Sequence, residues 1–180
     1  MLQSDVSSSL APIVNLVQPW QSLYAGHAAV STAVVFVHLS ALVAAGGLAI
    51  TNDRAVLRTK LIDVEGRARR LTDMSLSHRS VQAALVVSFA SGLLLFLADL
   101  EAFLIMPAFW VKISLILLLI VNASVMMRRE KRLRQLGASP DLPNPAASNR
   151  LWTRLRGHAF ASLVLWFAIV LAGTAMTSSG

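Results

Sequence analysis

The stretch Ala28–Ile50 reads AAVSTAVVFVHLSALVAAGGLAI and contains no Asp, Glu, Lys or Arg. It lies inside a longer charge-free interval that runs from Asp5 to Asp53. About 20 consecutive apolar residues in a helix cross the hydrocarbon core of a bilayer, so this stretch is long enough to span one. Two further charge-free stretches qualify, Ser80–Ala98 and Gly157–Gly180, and a fourth, Ala102–Met127, is interrupted only by Lys112. The sequence therefore predicts four membrane-spanning helices, over approximately 28–51, 80–98, 104–127 and 157–177.

Charge sets the expected topology. Of the 16 Lys and Arg residues, 15 fall in two segments, Arg54–Arg79 and Arg128–Arg156. Cations that flank spans are retained on the cytoplasmic side. Both termini and the turn around Asp99–Pro107 are then expected on the exterior or periplasmic side. The fold class that follows is all-α, an integral-membrane antiparallel four-helix bundle.

A formal charge of +7 would raise nucleic acid as a partner in a soluble protein. Here the cations sit at helix ends and meet an anionic inner leaflet, so the expected partners are the bilayer and its anionic lipids, with no nucleic acid. With 56% hydrophobic residues in 180, one membrane domain over residues 27–180 is expected, with no second core. The first apolar run starts too late and lacks the basic flank of a signal peptide, so it is expected to be retained. The absence of cysteine excludes disulfides, iron–sulfur clusters and thiolate ligation of haem.

Residues 1–26 carry apolar residues with Trp20 and Tyr24 near their end, which suits a short segment in the headgroup layer. In the first basic segment Val56, Leu57, Leu61, Ile62 and Val64 recur at roughly helical spacing, which predicts an amphipathic extension. The second contains Pro140, Pro143 and Pro145 and is expected to be irregular. Lipid gives helices no hydrophobic drive to associate, so small residues mark the packing faces. Candidates are Ala41, Ala44, Ala45, Gly46 and Gly47, then Ala90, Ser91 and Gly92, then Ala172 and Gly173.

Ionisable side chains inside spans are costly and are functional candidates by default. His38 falls near mid-depth on a face rich in small residues, where it is either a ligand or a neutral His bonded to a Ser or a backbone carbonyl. Lys112 lies within a turn or two of the same depth, with a stem long enough to reach the headgroups instead. His78 and His158 begin the second and fourth helices; they form a diagonal pair that could grip a planar cofactor, or two solvated interfacial residues. His27 at the outer edge of the first span reads as interfacial, and with Met106 and Met176 it makes a weaker copper alternative. No Ser–His–Asp set, phosphate loop, nucleotide fingerprint or zinc motif is present.

His38-Leu-Ser-Ala-Leu-Val-Ala-Ala-Gly-Gly-Leu-Ala-Ile50 followed by Asp53-Arg54, SGLLLFLAD over Ser91–Asp99, FWVKISLILLL over Phe109–Leu119 and LWFAIVLAG over Leu165–Gly173 together resemble the four helices of a broad group of small bacterial membrane proteins. That group includes uncharacterised families, CopD-type copper-resistance proteins and HemJ-type protoporphyrinogen oxidases, which bind haem b. The resemblance covers most of the chain from Val37. It implies a bacterial inner-membrane location and haem b, with His38 holding the haem iron and Lys112 matching the Lys that follows an aromatic residue in the third helix. The chain departs from the oxidases at Gly46–Arg54, where they carry an aromatic, Pro- and Arg-containing end to the first helix. The reading at this stage is a small membrane protein using haem b for electron transfer or haem-linked redox chemistry. The alternative is a cofactor-free subunit, alone, as a homo-oligomer or in a larger membrane complex, or a copper-handling protein.

Overall fold

The computed structural model describes residues 2–138 and 145–178, with side chains described for residues 12, 14–136 and 146–175. Six helices follow in order: α1 (Leu2–Gly26), α2 (Ala28–Arg58), α3 (Val64–Ala98), α4 (Leu100–Ile105), α5 (Pro107–Ala138) and α6 (Pro145–Ser178). The fold is an all-α helical bundle. Four of the helices, α2, α3, α5 and α6, are long and apolar enough to cross a membrane, and at most 22% of any apolar window is buried. Their outward faces carry Phe36, Val43, Val86, Phe89, Phe167 and Leu171, all well exposed. In water such apolar surface would drive association; against lipid tails it is the natural exterior.

The breaks between helices have local causes. His27 accepts the first backbone bonds of α2 from Val30 and Ser31, which makes it the cap residue of that helix. Asp99, outside helical geometry with ψ at 59°, separates α3 from the short α4. Met106 is extended, with φ −85° and ψ 112°, because the ring of Pro107 disfavours helical geometry in the residue before it. Pro107 and Pro145 then open α5 and α6 at the position where a missing N–H costs nothing.

Helix extends beyond the four predicted spans in three stretches. α1 is a continuous helix despite Pro12 and Pro19 inside it. In the first basic segment the predicted helical extension is present: α2 runs on to Arg58 and α3 starts at Val64, which leaves residues 59–63 between them. The second basic segment is largely helical, because α5 continues to Ala138 and α6 begins at Pro145; Pro140 and Pro143 lie outside the described residues. At 1.5 Å per residue the 31 residues of α2 and the 35 of α3 are about 46 and 52 Å long, well beyond a hydrocarbon core of about 30 Å.

The chain divides into two compact units. One comprises Met1–Val43 with Ala83–Met106, the other Ala44–Gln82 with Pro107–Gly180. In the first, α1 docks on the end of α3. The indole of Trp20 donates to the Leu94 carbonyl at 2.9 Å and the Gln21 amide donates to the Leu97 carbonyl at 3.3 Å. Leu97 is among the last four residues of α3, whose carbonyls have no partner within the helix.

In the second unit the best-buried side chains gather at the charge-rich helix ends. Val56, Leu71, Met74, Met126, Leu133, Trp152, Leu155 and Ala159 form one cluster, with Trp152 and Leu155 fully buried. Arginines bind this end together. Arg67 lies 5.9 Å from the centre of the Trp152 ring and donates to Asn149 Oδ1, while Arg156 donates to the Leu57 carbonyl at the end of α2. Several of the cations expected only to face lipid therefore tie helices to one another.

The small-residue stripe of α2 sorts by face. Ala41, Ala45 and Gly46 are buried, whereas Ala44 and Gly47 are exposed. A Cβ on Gly46 would lie 3.3 Å from the buried indole of Trp166, and one on Gly47 would meet nothing within 4 Å. Gly46→Leu should therefore destabilise the protein by about 1–3 kcal/mol through overpacking, and Gly47→Leu by no more than about 0.5 kcal/mol. Thermal unfolding of both variants in one detergent, followed by circular dichroism, checks the difference.

Candidate functional site

His38 sits on α2 opposite α3 in the first unit, half-buried. Its Nδ1 lies 3.0 Å from the backbone carbonyl of Ser88 and 3.2 Å from Ser91 Oγ. A carbonyl only accepts, so Nδ1 carries the proton and donates. The Ser91 hydroxyl lies 2.7 Å from the carbonyl of Val87 and 3.1 Å from that of Ser88, so its own proton is directed to the backbone. Its oxygen is thereby left to accept from the imidazole. In the neutral ring the lone pair then resides on Nε2. Ser88 and Ser91 are both buried, and Gly92 brings the α3 backbone close to the ring: a Cβ there would stand 3.0 Å from His38 Cε1.

These are the hydrogen bonds that the sequence reading gave to a structural His38, a Ser and a backbone carbonyl. They engage Nδ1. A metal-binding His uses the same arrangement, with the outer nitrogen donating to a carbonyl and fixing the tautomer.

Lys112 belongs to the second unit. It is half-buried on α5, and its Nζ lies 3.7 Å from where a Cβ on Gly173 of α6 would be. The small residue at Gly173 leaves room for the lysine stem between the two helices.

His158 is held by Asn122 across α5 and α6. The Asn122 amide nitrogen donates to the His158 carbonyl at 3.0 Å, which turns its oxygen toward the ring, 2.7 Å from Nδ1. Nδ1 must then be the protonated nitrogen here as well.

His78 meets a buried acid. Its Nε2 lies 3.2 Å from Glu130 Oε2, a close contact without hydrogen-bond alignment, and Arg134 bonds the other carboxylate oxygen and the Leu71 carbonyl. Glu130 is only 3% exposed, and through Arg134, which also reaches the Leu71 carbonyl, it is tied to α3. His27 lies at the α1–α2 junction, exposed, with Nδ1 bonded to the Leu23 carbonyl. Met106 occupies the extended link before α5, and the Met176 side chain lies outside the described residues.

Three polar residues were not singled out from the sequence. Asp53 is 4% exposed and accepts a hydrogen bond from Ser162, itself buried; Oδ2 has no hydrogen-bond partner among the described residues. Its signal was available, since it is the first charge after the long neutral interval. Glu130 could have been noticed as the lone acid among Arg128, Arg129, Lys131, Arg132 and Arg134. Asn122 is a polar amide within an apolar run.

The protein so defined is a multi-pass helical membrane protein with polar inter-helix ties at three histidines. No family model, no curated protein and no solved structure matches the chain.

Glu130 is buried but the His78 and Arg134 side chains are 29% and 37% exposed, so removing a partner should cost less than in a fully buried pair, where the cost is about 3–5 kcal/mol. His78→Ala leaves Glu130 with Arg134 and should cost less than Glu130→Ala, which takes the shared acid from both His78 and Arg134. The double variant should fall short of the sum of the two single effects. Thermal midpoints of all three variants in detergent give this cycle.

Proposed function

We propose that this membrane protein binds haem b through His38 and serves in electron transfer or haem-linked redox chemistry. The observation that carries the reading is the tautomer of His38. Donation from Nδ1 to the Ser88 carbonyl places the lone pair on Nε2, the form of imidazole that ligates iron, and orients the ring against α3.

The donor set fits this group better than a bare ion. A metal held by protein alone takes three or four ligands. Among the described residues no group of three or more His, Cys, Asp or Glu converges. Haem brings four ring nitrogens and asks the chain for one or two axial ligands. When bound, it supplies one-electron redox chemistry, and the chain contributes ligation, orientation and an apolar surround. His38 would hold the iron, Ser88 and Ser91 would fix its ring, and Gly92 would keep the approach narrow. The reading assigns one ligand.

It also includes the orientation that charge favours. Both basic segments would face the cytoplasm of a bacterial inner membrane, because positively charged flanks are retained there.

A second reading has its own support: the ties of His78 to Glu130 and of His158 to Asn122 are those of histidines that join helices. On that reading His38 is a third tie and the chain is a cofactor-free membrane subunit.

The deciding measurement is the absorption spectrum of protein purified in mild detergent from haem-supplemented cells. Wild type should show a Soret band and a b-type reduced spectrum. His38→Ala should lose both while remaining helical by circular dichroism, and His27→Ala should retain them. Gly92→Ala, which crowds the His38 ring, should retain haem less well. Colourless wild-type protein, or a spectrum unchanged in His38→Ala, overturns the proposal; the former supports the second reading.

A further inference from the structure

Where α2 ends and α3 begins, the second unit holds a crevice of about 840 Å³. Five cations line it, Arg54, Arg58, Lys60, Arg69 and Arg70, against two carboxylates, Asp63 and Asp73. Both carboxylates already have partners. Asp63 Oδ1 accepts from the Gly66 N–H at 2.8 Å, and Asp73 pairs with Arg70 at 3.4 Å. Arg69 pairs outside the crevice with Glu65.

Arg54, Arg58 and Lys60 have no ion pair among the described residues. Arg54 and Arg58 are four residues apart and so present like charges on one helix face. Arg70 adds a buried Nε without a hydrogen-bond partner there. The crevice therefore holds three cations without an ion-pair partner among the described residues, an arrangement that suits an anion with several oxygens.

Depth decides which anion. Arg54 and Arg58 lie four and eight residues beyond Ile50, the end of the apolar run, or about 6 and 12 Å at 1.5 Å per residue. The polar layer on each side of a bilayer is roughly 5–8 Å thick, which places Arg54 at the level of lipid phosphates and Arg58 just beyond it, within reach of them by its long side chain. Beside it, Ile62 and Val64 are 88% and 67% exposed. Bare apolar side chains next to a cationic crevice suit a membrane surface, where the former enter the interface and the latter meets phosphate.

We propose that this crevice binds the phosphate of an anionic phospholipid, fixing one lipid where α2 meets α3. The site is separate from His38 and its test does not depend on haem.

Full-length protein in a neutral detergent would be titrated with dioleoylphosphatidylglycerol, dioleoylphosphatidylcholine or inorganic phosphate while the thermal midpoint is followed by tryptophan fluorescence. The phosphatidylglycerol should raise the midpoint at lower mole fraction than the phosphatidylcholine, and inorganic phosphate should not reproduce the effect. Arg54→Gln/Arg58→Gln removes two exposed cations and should require roughly 30-fold more phosphatidylglycerol for half the shift. Arg128→Gln/Arg132→Gln, which removes the same charge from exposed positions on α5, should leave the titration unchanged. Lys60→Gln gives a smaller shift in the same direction and serves as the reading if the first double variant does not fold. Equal weakening in both double variants, phosphatidylcholine as effective as phosphatidylglycerol, or inorganic phosphate matching the lipid would each overturn the proposal.

Discussion

A backbone N–H or C=O in hydrocarbon has no water to bond, and each one left unpaired costs several kcal/mol. Helices satisfy these groups locally. Once α2, α3, α5 and α6 are helical, their side chains are free to be apolar on every face, and association depends on fit instead of on escape from water. The contacts that matter are then short-range ones. Gly46 admits the Trp166 indole, Gly173 leaves space for the Lys112 stem, and Gly92 admits the His38 ring. A glycine in such a helix gives up some propensity for the close approach it permits.

The charge-rich ends obey different rules. There the helices outrun the apolar core of a bilayer and bury Trp152, Leu155 and Val56 almost completely. Arg67, Arg134 and Arg156 spend their charge on neighbouring helices, and Glu130 gives α3 and α5 a shared counter-ion. The basic segments thus form a packed structure, and the same residues that bias topology also fasten it.

Much of the fold was legible because lipid imposes coarse demands. The four long apolar runs are helical, and the small residues Ala41, Ala45 and Gly46 are buried. The helical extension of the first basic segment was legible in the spacing of Val56, Leu57 and Val64, whereas prolines near residue 140 drew attention from the helices on either side. α1 is longer than the short interfacial segment expected of residues 1–26, and the anchors that settle its place, Leu94 and Leu97, are more than 70 residues away. The site was half legible. Depth alone marked His38, but its partners Ser88 and Ser91 follow only from how α3 packs against it. Asn122 and Glu130 became visible as partners once α5 was set beside α6 and α3.

The core around Trp152 has a thermal consequence. Burial away from water weakens on cooling, whereas the dispersion contacts that dominate among lipid-facing helices have no such dependence on water. The helices are therefore joined by two fastenings that respond differently to temperature, and cold should loosen the basic end first while the apolar spans stay together.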